Sequence, residues 1–312
     1  MVWFLILQLI ALLILVALSA TLMAKGTREL ERSFGKGIAG GLILGFINAL
    51  PETIIVIQAV LSGFYDIALG SALGGNILLL TLGIGLVSIF YYLKYKSNTI
   101  TLDYDINIEY SSFLIAVIIL GIAVAYGKLN YYIGLFLLSP YIYYIYRRYK
   151  TYRNISKNGK DKGNIIKGLI YVIIGGLPLI FTSKYLVSTI SSIASMFNVS
   201  PLILAILITP IAAELEENLT AIKLISDSPS SVTTALMNFI GSKLENMTLL
   251  LGIIGISQTV SLRPSLLYLL LILATSLLAL GIIKDRNIKV KEGLSLFGIY
   301  AILIAILLRF SA

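Results

Sequence analysis

The chain has 312 residues, of which 58% are hydrophobic and only 12% are charged, and its formal net charge is +9. A soluble domain typically carries about 25% charged residues, so this composition excludes an ordinary soluble protein and indicates a membrane protein. Cysteine and histidine are both absent, which excludes disulfides, thiolate metal sites and imidazole ligands. Any ion chemistry must therefore use carboxylates, amides, hydroxyls and backbone carbonyls.

Apolar segments long enough to cross a bilayer recur along the whole chain. Each crossing needs about 20 apolar residues in a helix. The first segment lacks the charged n-region of a signal peptide, so we interpret it as a retained span. The sequence thus predicts an all-α integral membrane protein of about ten transmembrane helices. The predicted spans are residues 2–24, 37–61, 67–93, 111–127, 130–147, 167–187, 200–225, 232–257, 265–283 and 293–309.

Lysine and arginine concentrate in alternate loops between these spans. The first, third, fifth and ninth loops hold most of them, at residues 25–36, 94–96, 147–167 and 284–291. Because positive loops prefer the cytoplasm, both termini are predicted to be extracellular, in a multi-pass protein of the cell membrane. This asymmetry accounts for the basic charge without a nucleic-acid partner. A polybasic lipid-binding patch at 147–167 is the alternative interpretation.

The two halves of the sequence resemble each other. Phe34 precedes Glu52 by 18 residues, and Phe197 precedes Glu214 by 17. Five spans per half is an odd number, so the second half enters the membrane with opposite polarity, as in the inverted repeats of secondary transporters. The predicted parts are a first five-helix repeat over 1–150, a basic cytoplasmic linker over 151–166 and a second five-helix repeat over 167–312.

Glu52 and Glu214 lie deep in the second and seventh predicted spans. An ionisable group at that depth costs about 2.5–3.5 kcal/mol on insertion scales. The cost is tolerated where the group faces a water-filled cavity, a cation or a proton pathway. The alternative is a structural carboxylate that pairs with a neighbouring helix, although two glutamates at matching repeat positions favour an ion site.

Two prolines stand next to these glutamates. Pro51 and Pro210 cannot donate a backbone hydrogen bond, which frees the carbonyls of Ile47 and Ile206 in a continuous helix. Carbonyl oxygens suit hard cations such as Na⁺ or Ca²⁺. A plain kink is the alternative.

The eighth predicted span carries a polar stripe. At 100° per residue, Asn238, Ser242 and Glu245 lie within about 60° of one another, and Asn246 lies on the edge. Lys243 is about 140° around the helix from Asn238. It could form a structural salt bridge with Glu216 or Glu217, or occupy a cation site as a tethered ammonium.

These residues resemble the cation/calcium exchanger superfamily, which includes sodium/calcium and proton/calcium antiporters. Each five-helix half of that family carries a Gly-Thr-Ser-Leu-Pro-Glu-like segment and then a Gly-Asn-x-x-Gly-Ser-Asn-like segment. The similar segments here are 48–52 and 70–76 in the first half, and 209–214 and 238–242 in the second.

The resemblance implies a central ion site formed by Glu52 and Glu214 and flanked by polar groups of the third and eighth helices. It also implies alternating access, in which the first and sixth helices slide against the other eight. The family's late ligand in the third helix falls near Leu79, and its counterpart in the eighth falls near Asn246. The full set of expected cation ligands is Glu52, Glu214, Asn48, Asn76, Ser71, Thr209, Glu217, Asn238, Ser242, Glu245 and Asn246.

The function predicted from these residues is secondary active antiport of Ca²⁺, or another cation, against Na⁺ or H⁺, with no cofactor. Paired carboxylates can hold one divalent ion or exchange it for monovalent ions or protons. Without histidine, proton coupling would need a carboxylate whose pKa is raised by burial. Two alternatives stay open. One is a non-transporting scaffold in which Lys243 fills the cavity, and the other is a membrane-embedded enzyme, which the lack of His, Cys or an Arg cluster disfavours.

Overall fold

The computed structural model describes residues 2–34, 49–102, 106–152 and 164–309. Within these ranges the chain is almost entirely helical. The α-helices in chain order are α1 (Val2–Phe34), α2 (Leu50–Leu61), α3 (Tyr65–Ile77), α4 (Ile84–Tyr95), α5 (Asn107–Tyr126), α6 (Tyr131–Tyr152), α7 (Ile165–Phe197), α8 (Pro201–Ala213), α9 (Leu215–Asp227), α10 (Ser231–Glu245), α11 (Leu251–Ser257), α12 (Leu266–Ile283) and α13 (Val290–Arg309).

Each of the ten predicted spans contains helix in the described residues, and the predicted all-α membrane fold with two inverted five-helix repeats is confirmed. Seven helical segments of the described chain are long and apolar enough to cross a membrane. The short helices α2 and α8 carry the second and seventh spans, where residues 37–48 of the second lie outside the described ranges.

The first helix of each repeat is longer than predicted. Helices α1 and α7 both have 33 residues, and they end at Phe34 and Phe197, the two phenylalanines that align the halves. Both helices continue past the predicted span ends at residues 24 and 187. In α1 the continuation includes Lys25, Arg28, Glu29 and Leu30, which are all good helix formers.

The seventh span is interrupted, which corrects the predicted continuous helix over 200–225. Helix α8 ends at Ala213, Glu214 is not helical, and α9 begins at Leu215. Pro210 lies near the end of α8, and its carbonyl accepts the N–H of Glu214 at 2.9 Å. A proline inside a helix removes one hydrogen bond of the ladder, so the break follows within one turn.

Two π-helical segments interrupt the third and eighth spans at matching places. The first π-segment (Leu78–Gly83) joins α3 to α4, and the second (Asn246–Leu250) joins α10 to α11. In each, a threonine hydroxyl donates to the carbonyl four residues earlier: Thr81 to Ile77, and Thr248 to Leu244 at 2.6 Å. These threonines are 167 positions apart. The wide turns are therefore a shared feature of both repeats.

Two short antiparallel strand pairs join loops that are far apart in sequence. Strand β1 (Thr99–Thr101) pairs with β4 (Asn287–Lys289), and β2 (Lys128–Leu129) pairs with β3 (Val260–Ser261). The first pair joins the third and ninth loops, and the second joins the fourth and eighth. Each pairing thus links loops that the alternation of spans places on the same membrane side. The sequence did not predict these strands, and the extracellular position of the termini stays a prediction.

The chain packs as two compact units, and each draws helices from both halves. The first unit comprises residues 1–71 and 141–216, and the second comprises 72–140 and 217–312. The predicted boundaries of the repeats and linker stay a prediction, and residues 153–163 of that linker lie outside the described ranges.

Glycines hold α1 and α7 together in the first unit. A Cβ atom added at Gly26 would lie 2.6 Å from the Gly168 carbonyl oxygen, and one at Gly175 would lie 2.6 Å from that of Ser19. In membranes such small residues let helix backbones approach closely. The first helices of the two repeats therefore pack directly on each other.

The second unit contains a glycine contact in two repeat-related copies. A Cβ atom at Gly85 would lie 3.0 Å from the Gly293 carbonyl oxygen, and one at Gly252 would lie 3.1 Å from that of Gly134. Gly252 follows Gly85 by 167 positions, the same offset as the two threonines. The third span thus packs on the tenth as the eighth packs on the fifth.

Candidate cation-binding residues

The two predicted glutamates lie in the first unit, and both are buried. Glu52 is 3% exposed and Glu214 is fully buried. Glu52 lies in the first turn of α2, directly after Pro51, and Glu214 lies at the break between α8 and α9. Helices α2 and α8 contact each other within this unit. Glu214 is therefore found where its span is interrupted, whereas Glu52 lies in the first turn of a helix.

The two prolines occupy different positions in their helices, and the freeing of the Ile47 and Ile206 carbonyls stays a prediction. Pro51 occupies the first turn of α2, where its missing N–H would have no helical partner in any case. The carbonyl of Ile47, which the sequence predicted to be freed, lies outside the described residues, as does the candidate ligand Asn48. Pro210, by contrast, is inside α8.

Hydroxyl groups near the glutamates bind the backbone. The Thr209 hydroxyl donates to the Ala205 carbonyl at 2.8 Å, and the Thr53 hydroxyl donates to that of Ala49 at 2.8 Å. A hydroxyl that donates its proton keeps its oxygen lone pairs for another partner. Ser71, the other predicted hydroxyl of this unit, is 2% exposed, and its oxygen forms no hydrogen bond with the described residues.

A second polar group forms in the second unit, between α9 and α10. The Ser242 hydroxyl donates to Oε1 of Glu217 at 2.8 Å, and both residues are buried. Glu245 and Asn246 follow one turn later and are also buried. Neither side-chain polar atom of Asn246 has a hydrogen-bond partner in the described part of the chain. Leaving a buried amide in this state costs about 1–3 kcal/mol, so its oxygen is available to a cation.

Asn76 contacts its own counterpart in the other repeat. Its Nδ2 donates to the Lys243 carbonyl oxygen at 3.4 Å, and both residues are fully buried. Lys243 follows Asn76 by 167 positions, the offset set by the threonines and glycines. Equivalent residues meet only near the symmetry axis that relates two copies. Asn76 and Lys243 therefore mark the pseudo-twofold axis, where inverted-repeat transporters place their ion sites.

The predicted stripe on the eighth span is only partly buried. Ser242, Glu245 and Asn246 are buried, whereas Asn238 is exposed. The calculation at 100° per residue also fails beyond Glu245, because the second π-segment begins there. Asn238 thus differs from the other three predicted residues of the stripe in being exposed.

Arg28 is the charged residue that sequence reasoning misplaced. It was assigned to the first loop, but it lies in α1, where its guanidinium forms an ion pair with Oε1 of Glu216 at 3.1 Å. Glu216, which the sequence offered as a partner of Lys243, thus has an ion pair with Arg28. The repeat offset of 167 positions was readable in the sequence and could have identified the contact between Asn76 and Lys243.

Within the described ranges, the structure holds no group of three or more acidic residues close enough to bind a metal ion by themselves. A cation held here would need amide, hydroxyl or carbonyl oxygens besides the carboxylates. Buried amides and hydroxyls of that kind are present in both units, at Asn76, Asn246, Ser71 and Thr209.

Comparison with known proteins gives one family and several relatives. The family model described as sodium/calcium exchanger protein matches residues 4–150 and 167–309. The inner membrane protein YrbG of Escherichia coli (strain K12) is 25% identical over 255 residues, which cover 77% of this chain and 76% of that protein. The sodium/calcium exchanger NCL2 of Oryza sativa subsp. japonica is 35% identical over 71 residues, 20% of this chain and 12% of that protein.

Solved structures show the same fold at low sequence identity. A structure of the H⁺/Ca²⁺ exchanger CAX superposes with a TM-score of 0.82 at 20% identity, covering 98% of this chain and 86% of that one. A structure of the sodium-calcium exchanger NCX_Mj superposes with a TM-score of 0.65 at 20% identity, covering 98% of this chain and 99% of that one.

Proposed function

Because the chain belongs to the sodium/calcium exchanger protein family, we propose that it is a secondary active antiporter that exchanges Ca²⁺, or another cation, for Na⁺ or H⁺ by alternating access. Members of this family are transporters, so the chain is a membrane transporter and not an enzyme. The exchanged ions are its substrates, and no cofactor is part of the proposal.

The burial of Glu52 and Glu214 supports this proposal most strongly. Both carboxylates are at most 3% exposed, and Glu214 lies at an interruption of its membrane span. Interrupted helices are the usual places where transporters bind ions, because unwound backbone and helix ends present uncompensated carbonyls. Helix α8 ends directly before Glu214, so the negative end of its dipole adds to the attraction for a cation.

The polar group around Glu217 supplies further candidate ligands. Ser242 fixes one oxygen of Glu217, while the other carboxylate of this group, Glu245, is 1% exposed. Carboxylate oxygens combined with the amides of Asn246 and Asn76 form the mixed oxygen set that Ca²⁺ and Na⁺ prefer. We assign Glu217, Glu245, Asn246 and Asn76 to the proposed cation-binding set.

Competition for the same oxygens would couple the two fluxes. A pair of carboxylates can neutralise one divalent cation, or it can accept monovalent cations or protons one by one. Binding of one ion species then excludes the other, so each leaves only in exchange.

Calcium uptake into proteoliposomes tests the site assignment. Reconstituted protein should accumulate Ca²⁺ when an outward Na⁺ or H⁺ gradient is imposed, and Glu52→Gln or Glu214→Gln should abolish uptake. Glu292→Gln is the matched control, because Glu292 is only partly buried and its carboxylate accepts the N–H of Lys289, a role that glutamine can also fill. Wild-type flux in either buried variant would overturn the assignment.

The full burial of Lys243 favours one other function, a scaffold that does not transport. In that case its ammonium would occupy the cation position permanently. Isothermal titration in detergent separates the two functions, since a transporter should release or absorb heat with Ca²⁺ or Na⁺ and a scaffold should not. Comparing Na⁺ with H⁺ gradients in the uptake assay would then identify the driving ion.

A further inference from the structure

A cavity of about 510 Å³ lies within the second unit, between α5 and α12. Its volume falls inside the range of about 300–1,000 Å³ that is typical of ligand pockets. Its walls are apolar, with Val124 on α5 and Leu266, Leu270 and Leu273 on α12. The only charged side chain that lines it, within the described residues, is that of Arg263.

The cavity runs inward from one membrane surface. Helix α5 ends at Tyr126 and α12 begins at Leu266, and the pairing of β2 with β3 holds these two ends together. From there the lining extends back to Gly121 on α5 and on to Leu273 on α12. At 1.5 Å per residue this is a depth of about 10 Å, compared with about 15 Å for the hydrocarbon of one leaflet.

Positive charge gathers at the surface end of the cavity. Arg263 and Lys128 are both exposed, and Lys128 stands opposite Ser261 in the β2–β3 pair. Gly127 lets the arginine side chain lie across the end of α5, since a Cβ atom there would come within 3.2 Å of the Arg263 Nε. Gly127 also has a φ of +79°, which favours glycine. The arginine is thereby held at the mouth of the apolar cavity.

We propose that this cavity binds one anionic phospholipid, with its phosphate at Arg263 and an acyl chain between α5 and α12. An apolar slot about 10 Å deep can hold the upper part of an acyl chain, and a guanidinium matches a phosphate through paired hydrogen bonds. Basic pockets between transmembrane helices are known to bind acidic lipid headgroups, and the predicted topology places this pocket in the outer leaflet. The inference does not depend on ion exchange and extends beyond it.

Native mass spectrometry of delipidated protein provides the test. The protein is titrated with phosphatidylglycerol and, separately, with phosphatidylcholine of the same acyl chains. We expect one phosphatidylglycerol to bind about tenfold more tightly than phosphatidylcholine, and Arg263→Gln to remove that preference. Lys284→Gln is the matched control, because it removes one exposed positive charge at the opposite end of α12.

Filling the cavity gives an independent arm of the experiment. Gly121 lines the cavity and a Cβ atom there would meet no atom within 4 Å, so Gly121→Leu adds apolar side-chain volume at the cavity wall. Gly281→Leu on α12 is the control, because Gly281 has the same open surroundings and does not line the cavity. We expect Gly121→Leu to weaken binding of both lipids about tenfold and Gly281→Leu to leave it unchanged.

Each other outcome would overturn the proposal. Equal binding of the two lipids, or an unchanged preference in Arg263→Gln, would rule out phosphate recognition. Unchanged lipid binding in Gly121→Leu would place the acyl chain elsewhere. Loss of a dimer in Gly121→Leu without loss of lipid would identify a second copy of the chain as the occupant. Equal competition by inorganic phosphate would show that the headgroup alone is recognised.

Discussion

The third and eighth spans have the same backbone and different chemistry. Each runs as an α-helix, a π-segment and a second α-helix, and each packs a glycine against another span. Where the eighth span has Glu245 and Asn246, however, the third has Leu78 and Leu79. At the pseudo-twofold axis, Lys243 faces Asn76. The repeats therefore share shape and packing, whereas the proposed cation ligands are concentrated in the second half.

The largest effect should come from giving the second half the residues of the first. Asn246→Leu and Glu245→Leu should each lower Ca²⁺ uptake by at least about tenfold, because each removes a proposed oxygen ligand. The volume-conserving Leu79→Met, in the equivalent first-half position, should change uptake little. Thermal unfolding without cations distinguishes a cation-binding role of Asn246 from a structural role. Its amide has no hydrogen-bond partner among the described residues, so Asn246→Leu should not lower the unfolding temperature. If the amide had a structural role, the same substitution would lower it.

A second prediction concerns a substitution that gives both repeats the same residue at the pseudo-twofold axis. Lys243→Asn would place amides at both equivalent positions and remove one buried positive charge. With Glu217 and Glu245 in the same unit, we expect the apparent Ca²⁺ affinity to rise about tenfold. Calorimetry with Ca²⁺ measures this affinity. Heat with Ca²⁺ in the variant but none in the native protein would instead support the scaffold function.

The packing symmetry can be broken by adding single methyl groups. Gly85→Ala and Gly252→Ala should destabilise the protein to a similar extent, by about 1–3 kcal/mol, because each added Cβ meets a neighbouring helix at close range. Gly298→Ala should not, since a Cβ there meets no atom within 4 Å. Unfolding temperatures in detergent measure the effect. A large difference between the first two variants would mean that the contacts are not equivalent.

The smallest effect on stability should come from single cysteine substitutions. Because the chain contains no cysteine, each introduced thiol is the single labelling site. The topology predicts that a membrane-impermeant thiol reagent labels Lys128→Cys in intact cells and does not label Thr101→Cys. Both residues are exposed in paired strands. The reverse pattern would place the termini in the cytoplasm, and labelling of both would contradict the alternation of loops.

Much of this fold could be predicted from the sequence because its signals are simple. Hydrophobic length located the ten spans, and the matched spacing from Phe34 to Glu52 and from Phe197 to Glu214 revealed the repeat. The interruption at Glu214 was harder to predict, because Pro210 could equally have kinked a continuous helix. The two strand pairs were not predicted because they involve two or three residues per strand and partners far apart in sequence.

The candidate residues were predicted less completely than the fold. Burial of Glu52 and Glu214 follows from their position in apolar spans, and the structure places both in the interior. The polar stripe was only partly correct because a constant 100° per residue does not describe a helix with a π-segment. Asn238 shows a second reason why the stripe was only partly correct. The angular position of a residue around a helix does not determine its depth or its exposure.

The paired π-segments also carry information about history. Such helices account for well under 1% of residues in proteins, yet both occur in the second unit at positions that match between the repeats. The simplest origin is a single wide turn in an ancestral half-protein that was present before the gene duplicated. On this origin the side chains around the turn diverged later, so the backbone turn is older than the arrangement of the proposed ligands.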